Sequence, residues 1–411
     1  MSGATPAGTP PPAHTSRSIA LALAPGTLLA GVAGGIAFPI LPIAGVRMGL
    51  SVAFIGVILA ANRAMRIIAS PTIGVAADRF GGRRTLLVGL ALQIVVMGLY
   101  TLGILTRRPG VFFLVGRLVH GPASAGVFVS AQALALQAGG VSHGGSAAGT
   151  VRAAIVLGIP VGLLVGGLLS DAVGDAATFE VAAVGMMVAL VAAWALVPDL
   201  RVSTKGRSPL GETLRAMRDR RLLAVGALNF VLSFSAGGMV LTTLALLVHE
   251  RHLVLLGRNE QGTAGMLMGC MTIVDVLTTP VAGRLGDRWH AHARVAALSV
   301  ALLVPGLLLV GLSSGVQGVL AGIAVVGLGA AGLGPSLLAI MGAIVPRERR
   351  GTGAGLLQLC GDVGGMLGPL VGTALLAGST SLPYVGTAAL IMCSLVPAAW
   401  LARTEAAARR S

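Results

Sequence analysis

The chain has 411 residues, of which 55% are hydrophobic and 10% charged, with a mean hydropathy of +0.90. A soluble domain carries about a quarter charged residues, so these side chains cannot cover a water-facing surface, and lipid is the expected solvent for most of the chain. The formal net charge of +15 invites nucleic-acid binding, but aromatics make up only 3% and no contiguous basic face interleaves them, which excludes that class.

In chain order, residues 1–18 are polar and Pro-rich and lack the basic-then-apolar layout of a cleaved signal. They read as a disordered cytoplasmic tail. A spanning helix needs about 20 apolar residues. Stretches of that kind run at 19–44, 52–76, 86–105, 111–137, 149–169 and 179–197, a first six-helix unit over 19–197. The linker 198–221 carries Arg201, Lys205, Arg207, Arg215, Arg218, Arg220 and Arg221, which suits a segment held against anionic lipid headgroups. Six more stretches follow at 222–248, 262–284, 293–313, 317–345, 353–377 and 382–402, a second unit over 222–402. Residues 403–411 form a second cytoplasmic tail.

Arg47, Arg107, Arg108, Arg251 and Arg258 fall in one set of loops, and most other basic residues fall in the alternate loops and at the two ends. Such a bias follows the positive-inside rule, with both termini in the cytoplasm of a cell membrane. Richness in Ala and Gly and preference for Arg over Lys fit a prokaryote with GC-rich DNA. Cys270, Cys360 and Cys393 lie in apolar stretches and read as small hydrophobes.

The two units repeat each other. At an offset of 209, Gly56, Pro71, Gly74, Asp78 and Arg79 of the second stretch meet Gly265, Pro280, Gly283, Asp287 and Arg288 of the eighth. At an offset of 206, Gly149, Gly158, Gly162 and Gly166 of the fifth meet Gly355, Gly364, Gly368 and Gly372 of the eleventh. Duplicated halves with a site between them near the bilayer midplane are a known transporter layout.

The loop after the second stretch reads Gly74-Val-Ala-Ala-Asp78-Arg79-Phe80-Gly81-Gly82-Arg83-Arg84. Gly74 permits close helix approach, Asp78 can accept from nearby donors, and the arginines hold the loop at the cytoplasmic surface; a topology anchor is one reading, and recurrence of the Asp-Arg pair in both halves favours a gating role. This segment resembles the loop signature of the major facilitator superfamily, with Gly82 where an Arg is usual. The second copy keeps Gly283, Asp287 and Arg288 and departs at Trp289-His290. Leu114-Val-Gly-Arg117-Leu-Val-His120-Gly121 is similar to the family's second motif, whose intramembrane Arg is linked to proton coupling; His120 stands where Gln is common. Gly149, Gly158, Gly162, Gly166 and Gly167 match the spacing of the family's antiporter signature, with Leu163 replacing its proline; the eleventh stretch keeps Gly364, Gly368, Pro369 and Gly372.

The resemblance implies an all-α membrane protein of about twelve helices in two pseudo-symmetric six-helix bundles, closest to the drug:proton antiporter-like branch. It implies a monomeric, non-enzymatic carrier that uses protons and a small-molecule substrate in the lipid bilayer, with no cofactor, metal or nucleic acid. The glycines are also a general device for packing membrane helices, so a structural role and a role in antiport both stand.

Arg63, Arg66, Arg117, Arg152, Arg284, Asp275 and Asp362 lie inside apolar stretches. Each costs about 2.5–3.5 kcal/mol at the bilayer centre, so all seven must turn from lipid or snorkel. Arg152 and Arg284 are near stretch ends, and snorkelling explains them. Arg63 and Arg66 share one helix face, as do Arg117 and His120. Counting at 1.5 Å per residue puts Arg66 and Asp362 at about 16–18 Å from the cytoplasmic side, and an ion pair across the two halves is expected there. Asp275 occupies the repeat position of Arg66, and its counterpart across the halves is Val156, so no basic partner is visible. Neutralising an unpaired carboxyl at such depth removes the cost of a buried charge; proton carriage, substrate binding and a helix contact are all open to it. Three deep arginines against two carboxylates, with no acid in the first stretch, favour neutral or anionic amphiphiles over lipophilic cations.

Lys205 is the only lysine and belongs to no phosphate-binding loop, and no His-Glu-x-x-His motif occurs. Gly327-Leu-Gly329-Ala-Ala-Gly332 matches a dinucleotide fingerprint but lies inside a spanning stretch and reads as packing. Three functions remain: a proton-coupled exporter, an importer or uniporter on the same fold, and a non-transporting membrane sensor or scaffold.

Overall fold

The computed structural model describes residues 13–199, 219–345 and 350–408. Most of the expected N-terminal tail, most of the basic linker and the last three residues lie outside the described residues. Among the described residues all regular structure is helical. In order these are α1 (Ala13–Arg47), α2 (Val52–Phe80), α3 (Gly82–Leu105), α4 (Pro109–Val173), α5 (Asp175–Leu196) and α6 (Arg220–Leu232). A π-helical stretch, Ser233–Val240, joins α6 to α7 (Leu241–Glu250). Then come α8 (Glu260–Trp289), α9 (His292–Leu312), α10 (Val316–Ile344), α11 (Arg350–Leu376) and α12 (Leu382–Ala408). Local chemistry sets several ends. Ser51 accepts from the Phe54 amide at the start of α2, and Asn259 accepts from the Gly262 amide at the start of α8. Gly81, at φ +93°, turns the chain from α2 into α3.

Twelve spans among the described residues are long and apolar enough to cross a membrane. Two are organised differently from the expectation. The fourth and fifth share helical backbone from Pro109 to Val173, where a break at 138–148 was expected. Neighbouring glycines of α1 reveal the path: Gly34 faces the His120 ring, while Gly35 faces Ile159 and Leu163. A straight helix would hold those positions about 60 Å apart, so the chain reverses between Pro109–Gln137 and Ala147–Val173. The seventh span is α6, the π-helix and α7 together. The outside is apolar: α5 presents Val181, Val184, Val188 and Val191 along one exposed stripe, as a lipid-facing helix must.

Two buried cores follow the two halves. One gathers Ile36, Leu59, Leu90, Met97, Tyr100 and Phe179; the other gathers Leu228, Met239, Leu267, Leu303 and Tyr384. Contacts between the halves obey the sequence repeat. A β-carbon placed at Gly56 would meet the Pro369 carbonyl and the Thr373 side chain, and one at Gly265 would meet the Leu163 carbonyl and Gly167. Those partners are themselves related by the 206 offset. Within the halves, Gly158 and Gly162 lie against the carbonyls of Leu28 and Val32, while Gly364 and Gly368 lie against those of Phe230 and Phe234. The same exchange at four pairs is a pseudo-twofold axis read from contacts.

The halves close on one face. There α1 packs against α7 and α8, α4 crosses α8 at Gly167, and α2 crosses α11 at Gly56. Charged and polar side chains clasp the same face. Arg47 bonds Glu260 at 2.9 Å, Arg258 bonds Asp171 at 3.2 Å, and the Asn259 amide donates to Asp171 at 3.0 Å. His249 lies 2.6 Å from Glu260. The other face, which carries Gly81 and His290, is called the signature face below.

A candidate functional site between the two halves

The site begins with a small residue. A β-carbon at Gly121 would stand 2.7 Å from the Asn62 carbonyl and 2.9 Å from the Arg66 amide, so α4 and α2 touch backbone to backbone beside His120. That contact brings Arg63 and Arg66 of α2 to the same level as Arg117 and His120 of α4. From the other half, α11 supplies Asp362, which is 3% exposed. Arg63 donates to its Oδ1 at 3.1 Å and Arg66 donates to the same oxygen. Gln358, one turn earlier, donates to Oδ2 at 2.8 Å. The Arg63 guanidinium also lies over Gly365, where a β-carbon would meet Nε at 3.2 Å. One carboxylate therefore holds two guanidiniums across the seam between the halves.

Arg117 is 2% exposed, and its Nε and Nη2 have no hydrogen-bond partner among the described residues. Its guanidinium sits 5.1 Å from the Phe38 ring of α1 and 6.0 Å from Tyr100 of α3, so ring faces stabilise a charge that no carboxylate meets. Tyr100 in turn packs edge-on against Phe113. His120 is 3% exposed with Nδ1 unpartnered. The cluster thus holds three cations and one carboxylate.

Asp275 has no cation partner among the described residues; its Oδ1 accepts from Thr279 at 3.3 Å. Thr279 also reaches the Ala331 carbonyl at 3.4 Å, so this carboxyl stands beside α10. Val156, its counterpart across the halves, is 43% exposed.

The loop signature lies at its face in two forms. Gly74 is buried, Asp78, Arg79 and Arg84 are exposed, Arg79 stacks on Phe80, and Arg83 donates to the Trp194 carbonyl. In the second copy, His290 adopts φ +50° and His292 bonds Asp287 at 3.1 Å, with Arg288 exposed and open space around Gly283. The antiporter-like glycines pack helices. Gly158, Gly162 and Gly166 meet α1, Gly167 meets α8, and Gly364, Gly368 and Gly372 meet the seventh span. Gly149 faces open space and joins none of them. Pro369 presents its carbonyl to Gly56.

A family model described as Major Facilitator Superfamily matches residues 23–257 and 258–411. The chain belongs to the Major Facilitator Superfamily. Among relatives, it is 26% identical over 360 residues to the multi-drug resistance efflux pump PmrA of Streptococcus pneumoniae, covering 85% of this chain and 87% of that one. It is 27% identical over 302 residues to the multidrug resistance protein MdtG of Salmonella choleraesuis, covering 70% of each. The solved nucleoside transporter NupG shares the fold, with a TM-score of 0.76 at 13% identity over 93% of this chain and 98% of that one.

The superfamily's motifs leave several site residues unmarked. Helix counting gives Arg63 no partner of its own, and no motif marks Gln358, yet both bond Asp362. Arg47, Arg258, Asp171 and Glu260 clasp the halves, and in the sequence only the two arginines stand out, as loop charges. The π-helix at Ser233–Val240 has one local signal, the Gly237-Gly238 pair, where Gly238 lies against Pro369 and Gly368 of α11. Such π-turns concentrate at functional positions.

Proposed function

We propose that this superfamily transporter is a proton-coupled exporter of small organic or amphiphilic molecules, working by alternating access in the cell membrane with both termini cytoplasmic. It acts as a carrier and performs no enzymatic chemistry. The supporting observation is the seam itself: Asp362 of one half holds Arg63 and Arg66 of the other at mid-depth, above a clasped face. An ion pair that spans two moving bodies is made in one state and broken in another. The clasped face is the external one, and the signature face opens to the cytoplasm. Asp275, which has no cation partner among the described residues, carries the proton. The deep excess of arginine favours neutral or anionic amphiphiles. The relatives named as multidrug efflux pumps support the outward direction.

Purified protein in liposomes tests the reading. Substrate flux should follow an imposed proton gradient and stop when an ionophore collapses it. Flux that persists unchanged without the gradient would replace the exporter with a uniporter.

A further inference from the structure

Arg117 asks for an explanation that the seam does not give. An arginine only 2% exposed normally has its donors satisfied, yet two of the Arg117 nitrogens face no acceptor among the described residues. Beside it stand Arg63 and Arg66, whose shared acceptor belongs to the opposite half, and His120 with an unpartnered nitrogen. The Phe38 ring lies against the Arg117 guanidinium, and Phe38 also packs against the core of the other half.

We infer that this cluster is an oxyanion-headgroup site, and that Asp362 is its built-in competitor. The proposal rests on the transporter reading above and names the substrate class: amphiphiles carrying a carboxylate or similar oxyanion. The fork of a guanidinium matches such a group in two parallel bonds. Arg117 offers the free donors, Arg63 and Arg66 offer donors now turned to Asp362, and the partly buried Phe38 ring offers apolar surface for the tail. When the substrate anion takes Arg63 and Arg66, Asp362 keeps only the Gln358 amide. The bonds joining the halves at that depth are then lost, so occupancy and release of the seam become one event.

The test is equilibrium binding to purified protein in non-ionic detergent, using decanoate, decanol and decyltrimethylammonium as chain-matched probes and calorimetry as the readout. Decanoate is expected to bind about tenfold more tightly than the other two. Arg117→Gln should weaken decanoate about tenfold and leave decanol unchanged. Asp362→Asn should tighten decanoate about tenfold, a gain that misfolding cannot mimic. Inorganic phosphate should compete poorly, since it lacks a tail. Preference for the ammonium probe, weaker decanoate binding in Asp362→Asn, or phosphate competing as well as decanoate would each overturn the proposal. The binding assay contains no gradient. Lost gradient-driven flux with intact decanoate preference would therefore sink proton coupling alone, and the reverse result would sink the oxyanion site alone.

Discussion

Substitution of Gly265 by alanine tests the seam where the helices come closest. A β-carbon there would stand 2.7 Å from the Leu163 carbonyl oxygen, 2.8 Å from the Gly167 α-carbon and 3.1 Å from the Gly167 amide. All three are backbone atoms, so no rotamer relieves the contact, and α4 and α8 must part by a large fraction of an ångström. Overpacking of this kind costs about 1–3 kcal/mol. The cost falls on the conformation clasped at this face and is absent where the two helices have swung apart. At about 1.4 kcal/mol per tenfold, the equilibrium moves about five- to 150-fold toward the state open on the clasped face. Electron–electron resonance between spin labels at Arg107 and Leu256 reports it, with Cys270, Cys360 and Cys393 replaced by serine. Both labelled positions are exposed in opposite halves on that face. The interlabel distance should lengthen. Gly185→Ala in α5, where a β-carbon meets nothing within 4 Å, is the control. An unchanged distance in Gly265→Ala, or equal lengthening in the control, would refute the reasoning.

Arg66→Asp leaves Asp362 facing a second carboxylate and should lower thermal stability by about 2–3 kcal/mol, below the cost for a fully dry pair because the Arg66 side chain is 18% exposed. Adding Asp362→Arg should restore stability and transport; a swapped protein no better than the single variant argues against a mobile pair. Asp275→Asn should abolish gradient-driven exchange in liposomes, and retained coupling would move the proton site elsewhere. Arg47→Gln and Arg258→Gln should shift the spin-label distance in the same direction as Gly265→Ala but by less. Each pair has an arginine 45–50% exposed and contributes about 0.2–1 kcal/mol, so raised salt should mimic both variants.

The twelve spans and the duplication were legible in the sequence because each depends on local facts. A bilayer demands an apolar run of fixed length, and a duplicated gene leaves glycines at a constant offset. Depth was legible too: the matching levels of Arg66 and Asp362 follow from counting rises along two helices. Rotation about each helix axis and the choice of neighbour are not local, and only the folded chain settled them. Packing at Gly121 and Gly365 brings Arg63 onto the same carboxylate as Arg66 and leaves Arg117 with rings instead of an acid. The clasp joins residues more than 200 positions apart, Arg47 and Glu260, for which no spacing rule exists. The helical backbone that runs from the fourth span into the fifth was hidden, because an apolar run marks a span and says nothing of the conformation that joins it to the next. Position along a helix is written in the sequence, and with it the pairing of Arg66 with Asp362; tertiary packing decided that Arg63 joins that pair and that Arg117 does not.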